Sequence, residues 1–265
     1  MTDFYYSLPI WLSTILVLGV ALAVGLGSSL GPRLLFRVKP TDEEKEVGIN
    51  LMQVVAAYIG ILLAFAGVVV WQAYGDAETA VHQEAAAAAE LYRDLTTYGD
   101  ETLAARKDLR VYVASIVNDE WPQLSQGRVS DKTEVALFRL FKTIGEIRPH
   151  DDRDSTIYEA VFSNLNELVI YRRDRLEHSQ SGIPILLWIT GLVGSLFVVS
   201  YASVFTPTRL NIIMISGVSI SLGLVFLFIL TVDRPYKGEF SVSNRQLAEL
   251  SAKFDLLDRL AHHGP

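Results

Sequence analysis

The chain has no cysteine among its 265 residues. That absence excludes disulfides, thiolate metal centres and cysteine nucleophiles. A basic excess is missing too: the formal net charge is −7, which argues against a nucleic-acid partner, because phosphate contacts need clustered Lys and Arg. Neither a glycine-rich phosphate loop nor a nucleophile elbow is present, so the reading is of a protein that is not an enzyme, with no cofactor. The most informative absence is local. Asp, Glu, Lys and Arg are missing from four windows, Phe4 to Pro32, Val47 to Gly75, Ser179 to Thr208 and Leu210 to Val232. Each exceeds the roughly 20 residues that cross a hydrocarbon core about 30 Å thick.

Four transmembrane helices are therefore expected, at about Pro9 to Gly31, Gly48 to Trp71, Ile183 to Phe205 and Arg209 to Val232. The leading residues hold Asp3 and no Lys or Arg, unlike a removable signal, so the first span is read as an anchor. The organisation that follows is residues 1–72 for two spans and their loop, 73–182 for a helical soluble domain, 183–232 for two further spans, and 233–265 for an interfacial segment and amphipathic helix. The fold class is all-α, a four-helix transmembrane protein with a helical soluble bundle inserted between the second and third spans.

Alternating β-branched stretches are absent from residues 73–182, and apolar positions there recur at three and four. Leu109, Tyr112, Val113, Ile116 and Val117 form one stripe, Val135, Phe138, Phe141 and Ile144 a second, and Ile157, Val161, Leu165 and Leu168 a third. Breaks are signalled at Tyr98-Gly99-Asp100, from Trp121-Pro122 to Gly127, and at Arg148-Pro149-His150. A four-helix bundle is expected, its outer helices continuous with the second and third spans. The second span has no Pro to stop it: Trp71 and Tyr74 suit the membrane interface, and "EAAAAAELYRDL" beyond them consists of strong helix formers. The third span is preceded by Ser181-Gly182-Ile183-Pro184, where a kink or restart is expected. After the fourth, Leu247, Leu250, Phe254, Leu257 and Ala261 are spaced for a helix that packs on the bundle or on another subunit.

With four spans, both termini and the soluble block share one side of the membrane, and the loops Pro32 to Val47 and Thr206 to Thr208 share the other. Arg33, Arg37, Lys39, Lys45 and Arg209 flank the short loops, while Arg172, Arg173, Arg175, Arg234, Lys237 and Arg245 flank the block. The density of positive charge leans towards short loops inside.

Two spans carry rows of small residues. In the first, Gly19, Ala23, Gly27 and Gly31 recur every four and would admit a close neighbour. In the second, Asn50, Gln53, Ala57, Gly60, Ala64, Gly67 and Trp71 alternate by three and four, with Tyr58 and Phe65 nearby to narrow the row. Helix packing accounts for such a row; so does the wall of a pathway in a symmetric oligomer, each chain supplying one helix. Ser216, Ser219 and Gly223 form a weaker candidate face on the fourth span. No ionisable residue sits mid-span, which weakens proton-pump and coupled-transporter readings. In "HDDRDS", Asp151, Asp152 and Asp154 are weak metal candidates without the spacing of a calcium loop, and a helix start at Asp154 or Thr156 accounts for them. His82, Glu84 and the His262-His263 pair lack the companions of a zinc site. Glu120 is placed to pair with an arginine, and Trp121 to pack as a corner of the bundle.

Four segments in order, "VVVWQAYGDAETAVHQEA", "EWP", "GIPILLW" and "TVDRPYKGEFSV", resemble the bestrophin-like family of bacterial membrane proteins, from about Val47 to Val242. The resemblance implies a distant relation to bestrophins, pentameric anion channels with four membrane helices per chain and a helical cytosolic part between the second and third. It implies that the second span lines the pore and that the soluble block and both termini are cytoplasmic, against the lean of charge density. It marks Trp71, Glu84, Glu120, Trp121, Pro122, Asp233, Arg234 and Pro235 as structural or coupling positions. Chloride selectivity and calcium gating are not implied, since the second span has no run of neck aromatics and prolines and no complete calcium clasp is present. The resulting expectation is a homo-oligomeric ion channel or channel-like pore in the cell membrane, with the lipid bilayer and small inorganic ions as partners. The alternative is a non-conducting scaffold or sensor whose soluble bundle binds a partner; a transporter ranks third.

Overall fold

The computed structural model describes residues 5–36, 41–201 and 208–262, without the side chains of residues 29–36 and 262. Asp3, Arg37, Lys39, Phe205, Thr206 and His263 lie outside the described residues, as do the side chains of Gly31, Arg33 and His262. In chain order the α-helices are α1 (Ile10–Phe36), α2 (Asp42–Tyr98), α3 (Leu103–Ser115), α4 (Trp121–Leu124), α5 (Asp131–Gly145), α6 (Asp152–Gln180), α7 (Ile185–Ser200), α8 (Arg209–Val232) and α9 (Arg245–His262). No strand occurs among the described residues. Four stretches are long and apolar enough to cross a membrane: Ile10–Ser28, Asp42–Tyr98, Asp152–Ser200 and Arg209–Val232.

The chain divides into two compact units. The first comprises Met1–Ala73, Gly182–Arg234 and Gly238–Phe240; the second comprises Tyr74–Ser181, Pro235–Lys237 and Ser241–Pro265. Both draw on α2, which runs unbroken for 57 residues. It starts at a reciprocal cap: the Glu44 amide donates to Thr41 Oγ1 at 3.3 Å and the Thr41 amide to Glu44 Oε2 at 2.7 Å, with Asp42, Glu43 and Glu44 complementing the helix dipole.

In the first unit, Ile59, Leu63, Ala66 and Val70 form the buried face of α2, together with Ile229 of α8. Small residues let backbones approach where lipid supplies no hydrophobic drive. A methyl group on Gly194 would stand 2.0 Å from Ile59 Cδ1, and one on Gly25 would stand 1.9 Å from Ser219 Oγ. The close approach of α1 thus runs through Gly25, not through the row expected from the sequence. Gly19 and Gly27 have open space around them and, with Ala23, are exposed. A four-residue repeat names a face but not what covers it, and Leu18, Ala21 and Gly25 belong to the face that meets α8.

The restart before the third apolar stretch is present: α6 ends at Gln180 and α7 begins at Ile185. Only α2, then, continues through its apolar stretch, whereas α6 does not run on into α7. The Ile183 amide donates to Asp233 Oδ1 at 2.7 Å, and a methyl on Gly182 would lie 2.9 Å from Arg234 Cζ.

The second unit is built around Ala77, Val81, Ala88, Leu91 and Leu95 of α2, packed with the buried faces of α3, α5, α6 and α9. Leu109, Tyr112, Val113 and Ile116 are inside, as are Val161, Leu165 and Leu168. The α5 stripe differs from expectation. Val135 and Phe138 are exposed, and the buried residues are Thr133, Ala136, Leu137, Leu140 and Ile144. Both faces satisfy three-four spacing; the close-packed one is the face with small Thr133 and Ala136. Helix α9 packs in the same unit through Leu247, Leu250 and Phe254, with the Phe254 ring stacked 4.0 Å from that of Tyr92. Pro122 has no amide proton and crowds the carbonyl four residues back, and the turn before it widens into a π-helix, Ile116–Glu120.

Candidate functional site

The residues singled out on α2 fall into two groups. Asn50, Gln53, Ala57, Tyr58, Gly60 and Ala64 are exposed on this chain, and Gly67 is half-buried near Phe228. At about 100° per residue, the row from Gln53 to Gly67 lies roughly a third of a turn from the buried Ile59–Val70 row. Tyr58 and Phe65, 60% and 68% exposed, lie roughly a third of a turn away on the other flank. They therefore sit beside the small-residue row, not on it. Trp71, also exposed, stacks on Phe228 with ring centroids 6.4 Å apart.

The second group converges inside the second unit. Arg175 of α6 donates from Nε to Glu84 Oε2 at 2.5 Å and from Nη2 to Glu84 Oε1 at 3.2 Å. The same Nη2 donates to Glu120 Oε1 at 2.6 Å. Arg172 donates to Glu120 Oε2 at 2.8 Å and to Glu134 Oε2 at 2.5 Å. The Tyr112 hydroxyl donates to Glu84 Oε1 at 2.9 Å. Arg175, Glu84 and Glu120 have no solvent exposure, and Arg172 has 5%. Two buried carboxylates thus meet two buried guanidiniums, with Glu134 closing the cluster at its exposed edge. Burial alone would raise the Glu120 carboxyl pKa, but the guanidiniums of Arg175 and Arg172 outweigh it and hold the group below its ordinary range. Burial and the neighbouring Glu84 charge push the Tyr112 phenol well up, so it stays a donor.

Around this cluster stand the other motif residues of the second unit. The Trp121 ring lies 5.8 Å from Arg175 Cζ and meets Tyr236 edge-on at 5.5 Å; the Tyr236 hydroxyl donates to the Ala77 carbonyl at 3.1 Å. The Pro235 carbonyl accepts from the Val242 amide at 2.8 Å. Asp233 and Arg234 belong to the first unit, at the Ile183 and Gly182 contacts described above.

The local sequence explains the convergence. On α6 the apolar spacing Val161, Leu165, Leu168 continues by fours and threes to Arg172, Arg175 and Ser179, all buried. On α2 the spacing Ala77, Val81, Glu84, Ala88, Leu91, Leu95 places Glu84 on the core face. Arg172 and Arg175 flank the block as charges in the sequence, yet their register in the stripe marks them as interior. In "HDDRDS" the helix cap is Asp151, whose side chain accepts from the Asp154 amide at 2.7 Å, so the start lies earlier than Asp154 or Thr156. Among the described residues no three His, Asp or Glu side chains converge as metal ligands. His82 is exposed and pairs with Gln246.

All-helical, with four stretches long and apolar enough to span a bilayer, the chain is a membrane protein. The family model for the Bestrophin-like domain matches residues 19–247, and the chain belongs to that family. Its fold is similar to that of a bacterial bestrophin homologue from Klebsiella pneumoniae, known as several single-substitution variants. One variant superposes with a TM-score of 0.68 at 13% identity, covering 94% of this chain and 98% of that one. A second gives 0.65 at 14% identity over 95% and 99%. A crystal structure described as that of a membrane protein with a single substitution gives 0.67 at 12% identity over 94% and 98%. No curated protein matches the sequence.

Proposed function

We propose that the protein is a homo-oligomeric ion channel or channel-like pore in the cell membrane. The membrane part of α2 lines the pathway, and the helical domain of residues 73–182 is soluble and coupled to it. The observation that carries this reading is the exposure of Asn50, Gln53, Ala57, Gly60 and Ala64 on a chain whose own helices bury a different face of α2. A scaffold that used the row for its own packing would bury it within the chain; a row left outside a folded protomer and bearing polar Asn50 and Gln53 fits a wet axis shared by several copies. Family membership supports the same reading. Small inorganic ions are the transported species, and the soluble domain and both termini are cytoplasmic. The buried cluster of Glu84, Glu120, Arg172 and Arg175 serves as the rigid core through which the soluble domain acts on α2.

The test is planar-bilayer recording from purified protein, comparing wild type with Gln53→Leu and Gly60→Leu at matched incorporation. Unitary currents altered by either substitution are expected. Silence across voltage, pH and calcium from folded wild-type protein would refute the channel and favour the scaffold or sensor.

A further inference from the structure

The first unit contains a crevice of about 430 Å³ between α1, α7 and α8. Tyr5, Trp188 and Leu230 line one end, and Val24, Val199 and Ser219 the other. Its side is open past Val20, Leu192 and Leu196, all exposed. The wall carries no charged group. Ser219 Oγ donates to the Ile215 carbonyl at 2.8 Å, and Ser195, buried midway with no hydrogen-bond partner among the described residues, is too isolated to fix a polar ligand. The crevice asks for hydrocarbon.

Its dimensions select the kind. From Trp188 to Val199 on α7, and from Ser219 to Leu230 on α8, the wall runs roughly 16 Å at about 1.5 Å per residue. That is about half of a hydrocarbon core roughly 30 Å thick, the depth of one leaflet. The end with Tyr5 and Trp188 is the one next to charged residues, where the Ile183 amide meets Asp233 and the Ile10 amide meets Glu239; aromatic rings of this type settle at headgroup level. Spread over that length, the volume gives a channel roughly 6 Å across for the centres of water-sized atoms and about 9 Å from wall to wall, narrower than the 10–12 Å of a helix with its side chains. A flexible chain fits where a helix from a second copy does not. An empty slot of this size would leave its lining without dispersion contacts.

We infer that this crevice is a lipid site, holding one acyl chain of a bilayer phospholipid lengthwise with its headgroup at the Tyr5–Trp188 end. The inference stands apart from conduction and holds whether or not the oligomer passes ions.

The test uses phosphatidylcholine with a photoreactive diazirine near the end of one acyl chain, reconstituted with the intact wild-type protein in vesicles. After illumination, labelled residues are mapped by peptide mass spectrometry. Val199 and Ser219, at the deep end, should take at least fivefold more label than Phe197 and Val193, which are exposed on the same helix as Val199. Ser195→Leu, which fills the slot from inside, and Val20→Phe, which covers it from the rim, should each cut labelling at Val199 at least fivefold without changing Phe197. Equal labelling of Val199 and Phe197 in wild type overturns the inference without reference to either variant. So does protection of Val199 in the assembled oligomer alone, which would put a second copy over the crevice.

Discussion

Replacing Glu120 by Ala tests the buried cluster directly. Glu120 is the carboxylate shared by two arginines, accepting from Arg175 Nη2 at 2.6 Å and Arg172 Nη2 at 2.8 Å. Its removal leaves the buried core with two guanidiniums and one carboxylate, Glu84, and the exposed Glu134 offsets Arg172 weakly. Breaking a buried pair from one side costs about 3–5 kcal/mol, mainly because a charge is left uncompensated. Against a typical domain stability of about 5–15 kcal/mol, that would lower the melting temperature of the second unit by about 10–20 °C. Trp121, beside Arg175, gives a fluorescence reporter within the perturbed region. The double substitution Glu120→Met with Arg172→Met removes a charge of each sign and should recover at least half the loss, since the remaining Arg175–Glu84 pair is neutral. A loss below about 1 kcal/mol for Glu120→Ala, or a double variant as unstable as the sum of its singles, would refute the claim that charge compensation holds this core.

Two further outcomes are expected. The Gly194→Ala methyl would collide with Ile59, so this substitution should reduce the yield of folded protein and its heat resistance in detergent, and Ile59→Ala should rescue it; failure of the rescue would mean that α2 and α7 do not meet there. Glu120 and Asp258 both have depressed carboxyl pKa values: burial opposes ionisation in each, but guanidiniums prevail at Glu120 and hydrogen bonds from Tyr92 and Arg110 at Asp258. Because the folded pKa lies below the unfolded one, their stabilisation is present above about pH 4 and is lost as pH falls further. A melting temperature that drops below pH 4 in wild type, and less steeply in Asp258→Asn, is the expected record; identical slopes would remove Asp258 from the account.

What the sequence makes legible here follows from what each signal depends on. A charge-free window of membrane length depends on composition alone, so the four apolar stretches and the break at Ser181–Pro184 could be read directly. A stripe depends on which neighbour covers it. Val135 and Phe138 were more hydrophobic than Thr133 and Ala136, but the tighter contact selected the smaller side chains. The same holds for α1, where Gly25 makes the contact that the four-residue glycine row suggested for its own face. The ionic cluster was half legible: Glu84 and Glu120 stood out through the motifs around them. Arg172 and Arg175 count in the sequence as charges flanking the block, and only their place in the Val161–Ser179 register makes them interior, while Tyr112 reads as one more apolar position. On α2, period identified the small-residue row, but only the packed position of Ile59, Leu63, Ala66 and Val70 indicated which way that row faces.

The contacts of Gly182 and Ile183 with Arg234 and Asp233 tie two helix ends of the first unit together. Ile183 lies two residues before the start of α7 and Asp233 immediately follows α8, so a single hydrogen bond ties together two points 50 positions apart in the chain, while Arg234 lies against Gly182. Mechanically, the Ile183–Asp233 bond acts as a pin between the start of α7 and the end of α8. A displacement of α7 at that end stretches a bond worth about 0.5–1.5 kcal/mol unless the end of α8 follows, so the two helix ends favour moving as a pair.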